Sequence, residues 1–241
     1  MEMAALFLAA FGAEVVGTVA GFGSSTIFLP LAVMFVDFRA ALTLVAVFHV
    51  FGNLGRVGFF RRGWDWNMIA KFGLPSVVFT VLGAGAVEFV PQELLMGILG
   101  VFLVFYGWST FGGDGLRVKP TGVAWVVGGG ISGFFAGLIG TGGALRGAFL
   151  TGFNLSKEKY VATAAFVALM VDMTRIPVYL AQGYWEERFY GYVPILLVLA
   201  LAGSYVGKKI VAKIPQRKFR KVVAGAIILV GLKFIYDGFY F

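Results

Sequence analysis

The chain has 241 residues, of which 59% are hydrophobic and 13% charged, and it carries a formal charge of +8 at a mean hydropathy of +0.89. Those figures exclude a water-soluble globule and define an integral membrane protein. With no cysteine, disulfides, thiolate metal sites and cysteine nucleophiles are excluded, a single histidine leaves little scope for a histidine metal cage, and no cofactor is expected. The positive charge falls in loops that set orientation, so no nucleic-acid partner is needed.

Apolar runs near the length of about 20 residues that crosses hydrocarbon recur along the whole chain, which predicts an all-α polytopic membrane protein with one membrane domain over residues 1–241. The first half, residues 1–111, reads as five segments at about 4–20, 24–35, 40–60, 67–89 and 93–110. The first segment carries Glu14 and runs into a glycine break, GFGSS at 21–25, with no small-residue cleavage pattern, so it reads as a retained helix. The second segment is too short to span alone and pairs with the first as a glycine-broken helical hairpin. The third holds His49, Asn53 and Arg56, at spacings that put all three on one helix face.

A polar linker at 112–122 leads to the second half, residues 123–241, with segments at about 123–140, 143–153, 160–181, 189–207 and 219–240. Its break, GTGGA at 140–144, is followed by Asp172-Met173-Thr174-Arg175. Breaks and arginines recur at one common offset between the halves. Each half is therefore expected to be one hairpin plus three transmembrane helices. Unpaired peptide groups at a break cost several kcal/mol each in lipid, so both breaks must face protein or water.

Lysine and arginine mark cytoplasmic loops. Basic residues at 61–62, 117–119, 157–159 and 208–221 assign those loops to the cytoplasm and leave 36–39, 90–92 and 182–188 outside. Equivalent loops of the two halves then lie on opposite sides, which makes the halves inverted repeats and puts both termini outside. The aromatic residues Trp64 and Trp66, and Tyr184 and Trp185, fit interfacial belts.

Two readings of Arg56 and Arg175 stand at this point. Each lies near a helix end and can snorkel to a headgroup as an anchor. Alternatively, their equivalent places in the two halves, each three residues after Asn53 or Asp172, make them the cationic centre of an anion site, since guanidinium is a rigid fork suited to oxyanions. Asp172 with Arg175 also reads as a structural pair. Gly23, Ser24 and Ser25 with Thr26 in the first break, and Thr141, Gly142 and Gly143 with Arg146 in the second, add hydrogen-bond donors beside the restarted helices. Glu14, His49 and Asp172 are the candidates for proton coupling. Paired, interrupted membrane segments of this kind point to a secondary transporter with its site between the repeats. A channel would use the same groups without alternating closure. A membrane enzyme would need a nucleophile with a base, and no second carboxylate stands by helical spacing near His49.

The glycine break after the first helix of each half, the short helix behind it, the polar-plus-arginine helix and the helices with Pro75 and Pro194 resemble the TauE/SafE family of sulfite exporters, from Ala10 to Phe239. The resemblance implies a multi-pass carrier of the plasma (inner) membrane for sulfite, thiosulfate, sulfoacetate or a related sulfur oxyanion or organosulfonate. It also implies that the breaks and the helices bearing Arg56 and Arg175 line the anion site.

Overall fold

The computed structural model describes residues 2–21, 23–60, 64–111, 121–151, 155–211 and 216–240, and every regular element among them is helical. In the first half, α1 (Glu2–Ala20) stops where Gly21 and Gly23 adopt φ of +83° and +93°, a backbone region that penalises any side chain. The chain restarts as the short α2 (Ser25–Ala32), then turns into α3 (Phe38–Phe59), whose first turn is capped by the Asp37 carboxylate accepting from the Arg39 amide. Next come α4 (Trp66–Met68), a π-helical stretch (Ile69–Gly73), α5 (Leu74–Ala86) and α6 (Gln92–Phe111). The sequence reads 67–89 as one segment. The π stretch lies immediately before Pro75, which has no amide hydrogen to give back to the preceding turn.

The second half repeats the order: α7 (Gly122–Leu138), a break with Gly140 at φ +70°, α8 (Gly143–Thr151), α9 (Lys157–Ala181), α10 (Phe189–Val211) and α11 (Gln216–Tyr240). Thr121 and Ser156 cap α7 and α9 by accepting from the amides of Ala124 and Lys159. Among the described residues, six helices or helix runs are long and apolar enough to cross a membrane, α1 among them, while α7 at 17 residues falls just short. The first arm of each hairpin is thus close to a full span by length, and only its second arm is too short.

Packing is reciprocal between the halves. Helix α1 lies along α10, and α7, its counterpart, lies along α5, the counterpart of α10. Helices α3 and α9 pack together, as do α6 and α11. Small residues permit the close approaches: a Cβ at Gly129, Gly133 or Gly137 of α7 would stand 2.1–2.4 Å from the carbonyls of Phe72, Ser76 and Thr80.

The loops sort into two ends. At one, Lys159 pairs with Asp65 at 3.4 Å, the Asp65 amide donates to Thr163, and Lys208 donates to the Phe59 carbonyl at 2.9 Å. At the other, Arg39 donates to the carbonyls of Val87 and Val90 and lies over the Tyr184 ring, and Tyr192 meets Met3. Helix α3 runs from the second end to the first and α9 runs back, so these equivalent helices are antiparallel. At about 1.5 Å per residue, the 22 residues of α3 reach about 33 Å, enough for a hydrocarbon core of about 30 Å. Of the basic residues expected at the Lys159 end, Arg61, Arg62, Arg117, Lys119 and Lys213 lie outside the described residues, as do the side chains of Lys157, Arg217, Lys218, Arg220 and Lys221.

Candidate anion-binding site

The polar stripe on α3 is fully internal: His49, Asn53 and Arg56 are each at most 3% exposed. Placing such groups at membrane depth is costly, and the stripe meets carboxylates from two other helices, α9 and α1. Its first partner is Asp172 on α9. Asn53 Nδ2 donates to Asp172 Oδ2 at 2.9 Å, across the 119-residue offset that relates the halves, and His49 Nδ1 stands 2.9 Å from the same oxygen. The other oxygen, Oδ1, receives Arg175, with Nε at 3.0 Å and Nη2 at 2.8 Å. Arg175 completes its set by donating from Nη1 to the Ala136 carbonyl at 2.8 Å, and Tyr179 donates to the neighbouring Gly137 carbonyl. The last turns of α7, which lead into the second break, are thereby tied to α9.

Arg56 has a different environment. Its nearest carboxylate is Glu14 of α1, with Nη2 3.7 Å from Oε1, beyond hydrogen-bond reach. Its Nε and Nη2 have no hydrogen-bond partner among the described residues. Glu14 Oε1 instead accepts from Ser204 of α10 at 2.6 Å and from Thr18 at 3.2 Å, while Oε2 accepts nothing. Glu14 can lie against α3 because position 52 is glycine, where a Cβ would stand 2.4 Å from the carboxylate.

These groups open on a narrow pocket lined by Gly21 and Gly23 of the first break, His49, Asn53 and Arg56 of α3, and Gly143 and Arg146 at the start of α8, with small residues of α9 as its floor. Arg146 donates from Nη1 to the Ala164 carbonyl at 3.1 Å, and its Nε is unpartnered. His49 Nε2 is unpartnered too and faces Gly23, where a Cβ would sit 2.6 Å from it and 3.5 Å from Arg56 Nη1. Gly23 is therefore required twice, by its φ of +93° and by the closeness of His49.

The pocket brings together six of the residues singled out in the sequence: Gly23, His49, Asn53, Arg56, Gly143 and Arg146. Asp172 and Arg175 stand behind them as the support of His49 and Asn53. Neither arginine reaches the surface, so both depart from the anchor reading. Thr141 bonds Thr26 at 2.6 Å and joins the two breaks to each other. Gly142 accepts from Ser132 through its carbonyl, and the Gly23 amide already donates to Gly17. Ser24 and Ser25 are buried outside the pocket lining, with the Ser24 hydroxyl unpartnered. Sequence reasoning assigned Arg146 only a hydrogen-bonding part. Its signal was a lone charge within the apolar GALRGAFL run, which at membrane depth marks a functional position. The roles of Ser204 and Thr18 at Glu14 carry no sequence signal.

A bundle of apolar helices enclosing a pocket with four unpartnered polar nitrogens from two guanidinium groups and an imidazole defines a multi-pass membrane protein with an internal cationic site. A sequence model of the family described as Sulfite exporter TauE/SafE matches residues 6–234, nearly the whole chain, and the protein belongs to that transporter family. No curated protein matches the chain.

Proposed function

We propose that the protein is a secondary carrier of the plasma membrane that exports or exchanges a small sulfur oxyanion or organosulfonate, such as sulfite, thiosulfate or sulfoacetate. The two halves act as inverted repeats that expose the pocket alternately to either side. The observation that carries this reading is the pairing of Arg56, from the first half, with Arg146, from the second, on one pocket with unpartnered guanidinium nitrogens. Buried N–H donors without acceptors are rare and costly, and an oxyanion satisfies several at once. Antiparallel α3 and α9, the reciprocal packing of α1 and α10 with α7 and α5, and the family all support it. The end bearing Lys159 and Lys208 faces the cytoplasm, because basic loops stay inside. Flux follows the anion gradient, the membrane potential or a coupling ion. An inside-negative potential favours anion export by about 2.3 kcal/mol per charge per 100 mV.

Efflux of sulfite, thiosulfate and sulfoacetate from proteoliposomes tests the reading. Expected are saturable flux of at least one anion, acceleration by unlabelled anion on the far side, and a drop of about 10- to 100-fold in Arg56→Ala, the scale of one or two charged hydrogen bonds. No flux above empty liposomes for any of the three removes the carrier, and flux without acceleration from the far side makes the protein a passive channel.

A further inference from the structure

Five charged side chains are buried among the described residues: the cations Arg56, Arg146 and Arg175 and the anions Glu14 and Asp172. Counting His49 as neutral, the interior holds one positive charge more than negative. Protonating His49 would leave a charged Nε2–H beside Arg56 with no acceptor in reach. Asp172 is fully committed to Arg175, Asn53 and His49. Glu14 is not: its oxygen nearest Arg56 is held by two hydroxyls, its other oxygen has no partner, and the arginine stands 3.7 Å away.

We infer that Glu14 is the carrier's proton-exchange group, a resident carboxylate that gives up Arg56 to a dianionic substrate and takes one proton as it does so. The inference rests on the anion-carrier reading and assigns its coupling. A monoanion balances the single excess charge without any proton. A dianion does not, because it would leave the buried site negative, and an uncompensated charge at this depth costs several kcal/mol. On dianion binding, Arg56 leaves Glu14 Oε1 for a substrate oxygen. One proton from solution forms an O–H bond at Glu14 Oε2, the oxygen that nothing occupies. Oε1 goes on accepting from Ser204 and Thr18, so the neutral acid keeps its place. Release reverses each step, and the proton leaves with the anion.

The groups in contact with Glu14 supply no competing proton acceptor. Helix α3 presents Arg56 and the Gly52 backbone, while His49 gives Nδ1 to Asp172 and turns its free Nε2 to Gly23 on the pocket wall, so that proton uptake surviving in Glu14→Gln would fall to that nitrogen. Helix α10 presents Ser204 and the backbone at Gly203, and α1 itself presents Thr18. Helix α2 contains no ionisable residue, and Lys233 and Asp237 of α11 pair with each other at the surface.

Titration calorimetry on the purified, detergent-solubilised protein, in two buffers of different ionisation enthalpy, counts protons taken up per anion bound. Thiosulfate serves as the dianion and methanesulfonate as the monoanion. Expected are one proton per thiosulfate, none per methanesulfonate, and thiosulfate binding without proton uptake in Glu14→Gln, whose amide oxygen still accepts from Ser204 and Thr18. Thiosulfate binding with no proton uptake in the unaltered protein overturns the inference and leaves the carrier standing, as does uptake that persists in Glu14→Gln. Failure to bind either anion overturns the carrier reading and the inference with it. Infrared spectroscopy of the unaltered protein tests the same protonation without a variant: a carboxylic-acid band is expected with thiosulfate and not with methanesulfonate, and its absence with bound thiosulfate overturns the inference.

Discussion

Arg56 and Arg175 occupy equivalent positions in the two halves, three residues after a polar side chain on matching helices, and both are buried. Their surroundings differ. Arg175 meets a carboxylate at 2.8 Å and a backbone carbonyl at 2.8 Å and lacks nothing. Arg56 has two nitrogens without partners, a carboxylate at 3.7 Å, and a place on the pocket wall. A guanidinium whose donors are all satisfied by fixed protein groups is a structural brace. One whose donors are left open inside a membrane is held for a ligand. Equivalent positions of the two halves thus differ in surroundings while keeping their residue type. Arg175 fixes α9 against α7, and Arg56 is the one proposed to face the anion.

The comparison breaks most readily at Arg175. Replacing it with alanine leaves Asp172 buried with no cation in contact, and removing one partner of a buried pair costs about 3–5 kcal/mol. Arg175→Ala is expected to lose most of its folded protein in detergent, read as a collapse of the monodisperse peak and a lowered Tm. Arg56→Ala leaves Glu14 with its two hydroxyl donors, so its Tm is expected to stay near that of the unaltered chain while transport falls. Equal loss of stability in both variants would mean that the two arginines do the same work.

That difference was beyond the reach of the sequence. The segmentation, the two breaks and the shared offset are legible because they rest on local apolar length and on glycine and polar residues at fixed spacings. Partners are not. Arg56 finds Glu14 only because α1 lies beside α3 and α10, and Ser204 reaches Glu14 across 190 positions of chain. Thr26 and Thr141 each have the sequence setting of a ligand donor, yet they bond each other, a contact set by how the two hairpins meet. The π-helical turn before Pro75 escaped because proline signals a disturbance without saying whether the helix bends, breaks or winds wider.

The first break sharpens the same contrast at lower cost. Gly23→Ala forces a Cβ into a left-handed conformation and against His49 Nε2, with Arg56 Nη1 in ordinary contact beside it. Strain of this kind costs about 1–3 kcal/mol. Because the clash falls on pocket side chains, the expected result is weakened anion binding together with a modest drop in Tm. A drop in Tm with unchanged affinity would separate the break from the site.

The smallest expected effect tests the brace itself. Tyr179 sits beside Arg175 and donates to the Gly137 carbonyl, just before the second break. Tyr179→Phe removes that hydrogen bond and a longer one, at 3.5 Å, to the Ala136 carbonyl, which Arg175 keeps, so the expected cost is about 1 kcal/mol of stability. If the Arg175 side is only scaffold, thiosulfate affinity and the proton count per thiosulfate remain those of the unaltered protein. A changed affinity at unchanged Tm would mean that the tie between α7 and α9 loosens during the transport cycle, and the arginine that is fully satisfied in this state would then be released in another.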